Sequence, residues 1–194
     1  MEEEKVLDIF RKANALLVGH FLLTSGRHSN IYLEKFSVLK HPDHTAVLCR
    51  EIAKKFRKYK PDVVLGAAVG GIILAYETAK QLKVPGIFME RENGKLKLRR
   101  GFDIKEGEKV LIVEDIVTTG GSVYELIEEL KANYKCEIVG VGLLIDRSGK
   151  NIDFGEGETF ALARMDIKTY EEKECLMCKK GQEMTKRGSR NLKK

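Results

Sequence analysis

The sequence predicts an α/β fold: a parallel sheet flanked by helices on both sides. Three observations point there. Four short runs, at 63–65, 87–89, 110–113 and 138–145, are continuously apolar rather than alternating, as strands buried on both faces should be. Helical stretches at about 71–82 and 121–133 alternate with them, giving a β-α-β-(insert)-β-α-β order. The length of 194 residues suits one domain, whose core is large enough to need neither disulfide nor metal.

The elements follow in order. Val6, Phe10, Ala13 and Leu17 are spaced i, i+4, i+7, i+11, which marks one face of an amphipathic helix that Gly19 ends. Residues 20–24 and 30–34 read as two short strands around the turn 25–29, a hairpin. A second helix is expected over about 43–59, with Ala46, Cys49, Ala53 and Phe56 on one face. From Pro61 the buried strands and their helices take over, interrupted between the second and third strands by a charged insert at 90–101. There is no internal repeat or low-complexity stretch, and after about 179 the chain becomes a basic tail.

Charge and cysteine usage narrow the partners. The net charge is +6, but residues 179–194 hold seven of the 35 basic residues and one of the 29 acidic ones, leaving 28 against 28 in the rest. A groove for nucleic acid needs a basic stripe on the folded body, so nucleic acid is not expected as a partner. The longest uncharged run, 63–76, is shorter than the roughly 20 residues of a membrane span. The opening MEEEKVLDIF lacks the basic and apolar regions of a secretory signal, and the four cysteines (Cys49, Cys136, Cys175, Cys178) are too few and scattered for a disulfide framework. A cytoplasmic protein with reduced thiols is expected.

The most informative stretch is 110–122. An apolar strand ends in Glu114 and Asp115, and Ile116-Val117 then lead into Thr118-Thr119-Gly120-Gly121-Ser122, which opens a helix. Glycines let backbone N–H groups close on an anion, hydroxyls add donors, and a helix N-terminus supplies unpaired donors and positive partial charge. This is the chemistry of a phosphate monoester site. Carboxylates beside it would repel the ligand unless they face another part of it, such as ribose hydroxyls or Mg²⁺. No Gly-Lys-Ser/Thr follows and no G-x-G-x-x-G appears, so neither a P-loop nor a dinucleotide fingerprint is present. Ordinary helix capping would not call for paired acids, two Thr, two Gly and Ser in this register.

On these residues the chain resembles the type I phosphoribosyltransferases, whose signature for 5-phosphoribosyl 1-pyrophosphate is an apolar strand, two acids and a Thr-Gly-rich loop. It is similar to the orotate-using branch of that family over nearly its whole length. Supporting stretches are 21–29 (FLLTSGRHS), 66–72 (GAAVGGI) and 144–148 (LIDRS), and the ending from Cys175-x-x-Cys178 to Gly188-Ser189-Arg190 resembles one bacterial subgroup. The resemblance implies a single domain over 1–194, with a core at about 60–147, a small hood built from about 1–45 plus about 150–180, and a basic tail at 181–194. It implies transfer of the phosphoribosyl group to orotate with Mg²⁺, in a homodimer with shared active sites.

The resemblance also assigns roles. Glu114 and Asp115 would hold the ribose hydroxyls, with Mg²⁺ bound mainly through substrate and to Asp115 through water. Ile116, Val117, Thr118, Thr119, Gly120, Gly121 and Ser122 would hold the 5′-phosphate, and Val69 and Gly70, in the loop after the first core strand, the pyrophosphate. Some relatives have Lys where this chain has Gly70, and many orotate enzymes have Lys where it has Thr24. Thr118 and Arg147 would contact orotate; an arginine there can form a bidentate pair with the base's carboxylate, although it could also pair with neighbouring Asp146. The insert carries Arg91, Lys95, Lys97, Arg99 and Arg100 against Glu90 and Glu92. It corresponds to the family's mobile catalytic loop, with Arg91 and Lys95 as candidate catalytic cations, but it is shorter and has no His. Its alternative reading is a solvated hairpin, since 95–99 alternates like a strand and Asn93-Gly94 is a turn signal.

Two readings stay open beside this one: a phosphoribosyltransferase for another base, and a regulator on the same fold that senses phosphoribosyl pyrophosphate and binds nucleic acid. Cys175-x-x-Cys178 has the spacing of half a zinc site, but a closed site needs four ligands. The four histidines, His20, His28, His41 and His44, show no ligand spacing with it, so packed thiols are the simpler expectation, with a zinc that bridges subunits or uses histidine as the alternative.

Overall fold

The structure, a computed structural model, describes residues 1–186; the rest of the basic tail, with Gly188-Ser189-Arg190, lies outside the described residues. In chain order the elements are α1 (Glu3–Lys12), β1 (Leu16–Leu22), β2 (His28–Leu33), α2 (Lys35–Leu39), α3 (Pro42–Phe56), β3 (Val63–Ala67), α4 (Gly70–Leu82), β4 (Gly86–Glu92) and β5 (Lys95–Leu98). They continue with β6 (Lys109–Val117), α5 (Gly121–Asn133), β7 (Glu137–Asp146), β8 (Glu158–Arg164), β9 (Thr169–Tyr170), α6 (Leu176–Lys179) and β10 (Thr185–Lys186).

Six strands form the main sheet in the order β5-β4-β3-β6-β7-β8, all parallel except β5, which runs antiparallel to β4. The four continuously apolar runs are its central strands. Helices cover both faces, and two apolar clusters result. One joins α1, α3 and α4 to the sheet through Phe10, Leu48, Ile52, Phe56 and Leu74; the other joins α5 through Val123, Leu126 and Leu130. From β3 the chain proceeds to β4 on one side, and from β6 to β7 and β8 on the other. The strand order therefore reverses between β3 and β6, and ligands of open α/β sheets bind at the carboxyl ends of strands flanking such a point.

A second sheet, β10-β1-β2-β9, is built from both ends of the described chain. The hairpin β1–β2 supplies its centre, β10 adds in parallel to β1, and β9 adds antiparallel to β2.

Four features differ from the sequence reading. The first helix ends at Lys12, where Asn14 turns the chain into the left-handed region at φ 51, so Leu17 falls on the helical period by coincidence and belongs to β1. The third core strand does not end in the acids but continues through them to Val117. The insert contains a strand, β5, paired in register from Met89↔Leu98 to Glu92↔Lys95, as the alternation of 95–99 suggested. The edge strand β8 and the five-residue α2 give too weak a pattern to stand out in sequence.

Candidate active site

The site forms because β6 outruns one neighbour. Its pairing with β3 stops at Gly66↔Val113, whereas its pairing with β7 continues to Val117↔Asp146. Glu114 and Asp115 thus stand where the sheet has opened, and because successive strand residues point to opposite faces they serve two different clefts. Glu114 lines one of ≈ 430 Å³ together with Ile116, Val117, the loop 118–122 and Arg91. Asp115 lines the other, of ≈ 590 Å³, with Thr24, Arg27, Tyr32, Lys35, Arg147 and Thr169. Ile116, Thr118 and Thr119 border both, so the clefts are contiguous.

The first cleft is built to take an anion. Helix α5 begins after Gly120, which holds the left-handed conformation at φ 80 and leaves the first turn without a side-chain cap. Residues of that turn line the cleft, and the first amides of a helix have no intrahelical partner and carry its positive end. Glycine suits 120, since a Cβ there would lie 2.8 Å from side-chain atoms of both Ile152 and Phe154.

The second cleft is organised by charge. Asp115 is 2% exposed and Glu114 8%. The Asp115 amide donates to Glu114 Oε1 at 2.9 Å and the Ile116 amide to Asp115 Oδ1 at 2.7 Å. Lys35 Nζ lies 2.8 Å from Asp115 Oδ2; this is an ion contact, since that oxygen has no hydrogen bond of good geometry. Burial and the adjacent Asp115 raise the Glu114 carboxyl to about 7. Burial also raises Asp115, with Lys35 opposing the rise. Burial works against the Lys35 ammonium too, but the two acids outweigh it and its proton is held more tightly than usual. Gly70 permits this contact, because a Cβ there would meet Asp115 Oδ2 at 1.9 Å and Lys35 Nζ at 3.2 Å. The cation beside the acids thus comes from residue 35, in the space that a side chain at 70 would enter.

Arg147 has no carboxylate partner among the described residues, and its Nε is buried without a hydrogen bond. Burial lowers its pKa, as expected for a cation held away from water. The neighbouring Asp146 is occupied elsewhere: it accepts from the amides of Ser148 at 2.8 Å and Ile152 at 3.1 Å, with Arg164 at 4.0 Å. The alternative pairing of Arg147 with Asp146 is absent.

The structure thus brings together Glu114, Asp115, Ile116, Val117, Thr118, Thr119, Gly120, Gly121, Ser122, Gly70 and Arg147, with Val69 exposed beside Gly70. Arg91 reaches the first cleft but is clamped by Glu125 through bonds of 2.9 and 2.7 Å. Lys97 pairs with Glu129, Arg99 with Glu90 and Glu92, and Arg100 with Glu90. Lys95 is exposed, lines neither cleft of its own chain and has no ion-pair partner among the described residues. Sequence reasoning missed Lys35 and Tyr32. A lysine opening a five-residue helix leaves no periodic signal, and only its position just after the hairpin's second strand hinted at the site.

A glycine-rich loop entering a helix and a buried acid pair at the switch point of a parallel sheet, beside a small second sheet, are the arrangement expected of a phosphoribosyltransferase. A family profile described as "Phosphoribosyl transferase domain" matches residues 37–154. An orotate phosphoribosyltransferase of Caldanaerobacter subterraneus subsp. tengcongensis is 51% identical over 192 residues, covering 99% of this chain and 100% of the relative. One from Thermoanaerobacter sp. is 48% identical over the same shares of both chains. Among solved structures, orotate phosphoribosyltransferase from Aeropyrum pernix superposes with a TM-score of 0.68 at 25% identity, covering 82% of this chain and 93% of that one. The chain belongs to the orotate phosphoribosyltransferase family.

Proposed function

We propose that the chain transfers the 5-phosphoribosyl group of 5-phosphoribosyl 1-pyrophosphate to orotate, giving orotidine 5′-monophosphate and pyrophosphate. The observation that carries the choice of base is Arg147, a half-buried guanidinium without an acid partner in the cleft beside the acid pair. A neutral base offers it no charged partner, whereas orotate's carboxylate gives a bidentate one.

In this reading the amides and hydroxyls of 118–122 hold the 5′-phosphate and fix the sugar between the clefts. As pyrophosphate leaves, C1 becomes oxocarbenium-like, so the protein's task is electrostatic and no covalent nucleophile is needed. Glu114 and Asp115 orient the ribose hydroxyls and place negative charge beneath that cation. Lys35 neutralises Asp115 until sugar and metal arrive. Oxygen donors of this kind suit Mg²⁺, and Asp115, whose Oδ2 lacks a well-formed hydrogen bond, would reach it through water. Bound with substrate, Mg²⁺ would supply positive charge to the pyrophosphate leaving group. Val69 and Gly70 border the pyrophosphate side.

The hairpin 91–101 corresponds to the closing loop, and its unpaired Lys95 serves a partner subunit's site in a homodimer. No helix among the described residues is long and apolar enough to cross a membrane; its likeness to orotate phosphoribosyltransferases supports a cytoplasmic location. The test is loss of orotate absorbance with phosphoribosyl pyrophosphate and Mg²⁺. Consumption of orotate but not of uracil or adenine is expected, and no consumption of orotate would overturn the reading.

A further inference from the structure

We propose that His20, His28, Cys175 and Cys178 form a structural Zn²⁺ site clasping the amino-terminal hairpin to the carboxy-terminal segment. The four come from three places in the fold: His20 in β1, His28 at the start of β2, and the two cysteines at α6, Cys175 just before it and Cys178 within it. One ligand atom from each lies within 4.8 Å of all the others. Cys175 and Cys178 Sγ are each 3.6 Å from His20 Nε2, and Cys178 Sγ is 3.2 Å from His28 Nδ1. A tetrahedral zinc with Zn–S of about 2.3 Å and Zn–N of about 2.0–2.1 Å would place sulfur and nitrogen about 3.5 Å apart. The nitrogen–sulfur distances match those of a cage around one ion.

Proton placement supports the same reading. His20 Nδ1 is 2.9 Å from the Gln182 carbonyl oxygen, which can only accept, so Nδ1 carries the proton and Nε2 turns its lone pair toward the cluster. Three groups approach that single lone pair: His28 Nδ1 at 2.9 Å and the two sulfurs. Packed thiols and one histidine–histidine hydrogen bond would satisfy only part of this set. A cation at the centre takes all four lone pairs, and the Gln182 carbonyl is then the outer partner that orients a metal-bound imidazole. Two thiolates also balance the ion's charge, which matters where His20 and His28 are 3% exposed and Cys175 is fully buried.

The ligand chemistry selects the metal. Two sulfurs and two imidazoles in a closed set suit zinc rather than Mg²⁺, and with four protein ligands no position is left open for catalysis. The role is mechanical. The loop between the two histidines contributes Leu23, Thr24, Ser25 and Arg27 to the base-side cleft, so the clasp fixes that wall.

The full-length chain, purified under reducing conditions without chelator, should contain one zinc per chain by elemental analysis. Cys178→Ser and His28→Ala should each lower that content about tenfold or more. Because a variant can fail to fold, the wild type gives a second readout. Stripping it with a strong chelator should lower the Tm, adding Zn²⁺ should restore it, and adding Co²⁺ instead should produce the visible bands of tetrahedral cobalt with thiolate charge transfer. A reduced wild-type chain that carries no zinc, shows no Tm response to Zn²⁺ and gives no such cobalt spectrum would overturn the proposal.

Discussion

At the scale of single residues, the site depends on charges held where water cannot screen them. In the proposed reading, truncating Arg147 to Ala removes a contact made only on the base side. A charge-assisted hydrogen bond contributes about 1.5–3 kcal/mol, so KM for orotate should rise roughly 10- to 150-fold while KM for phosphoribosyl pyrophosphate stays nearly unchanged. Steady-state kinetics with each substrate varied in turn checks this, and equal rises in both would make Arg147 merely structural. Glu114→Gln and Asp115→Asn keep shape and lose charge. Each should fold normally by circular dichroism and lose about 10²–10³ in kcat. The pH dependence follows from Glu114, whose carboxyl rises from 4.5 to about 7 in the folded chain. Between those values the folded protein binds a proton that the unfolded chain has lost, so the stability this group contributes is present below 4.5 and is lost as pH rises to about 7. Binding that needs the carboxylate must release the same proton. Affinity for Mg²⁺-phosphoribosyl pyrophosphate should therefore increase from about pH 6 to about pH 8 in calorimetric titrations, and Glu114→Gln should flatten that slope.

Elements explain how those charges come to be placed, and how far sequence could foresee it. The joint between β6 and α5 was legible because buried strand, acids, glycines and hydroxyls are contiguous, so local chemistry and local structure coincide. Gly120 shows how tightly the joint is made: alanine there must hold φ 80 and push Ile152 and Phe154 away from 2.8 Å. Gly120→Ala should lower stability by about 1–2 kcal/mol for the left-handed residue alone. The Tm should fall accordingly, and KM for phosphoribosyl pyrophosphate should rise because the helix amides shift. An unchanged Tm would mean that the joint relaxes freely. Other elements were misjudged for identifiable reasons. Leu17 continued a helical period across a break that Asn14 imposes through its backbone alone. The insert supported two readings because alternation and clustered cations are both real: residues 95–98 form an edge strand, and four of its five cations are neutralised by Glu90, Glu92, Glu125 and Glu129.

At the scale of the molecule, what escaped the sequence is what depends on distant segments meeting. Lys35 reaches Asp115 across 80 positions, and His20 meets Cys178 across 158; neither pairing has a spacing to read. The same logic bears on the fifth cation of the insert. Lys95 faces no cleft of its own chain, yet it sits on β5, at the edge of the main sheet, where a second subunit could approach. If the hairpin closes over the partner's bound pyrophosphate, each site of a symmetric dimer is built from two chains, and closure also excludes water that would compete for C1. Two inactive chains should then complement each other: Asp115→Asn, with an intact hairpin, and a hairpin variant in which Lys95, Lys97, Arg99 and Arg100 are all Ala. Random reassortment of equal amounts makes half the dimers mixed, each with one intact site, so activity should return to at most about a quarter of wild type after subunit exchange. If the mixture stays inactive although mass spectrometry demonstrates mixed dimers, the hairpin serves the site of its own chain, and Arg91, already at the lip of that cleft, becomes the cation to examine.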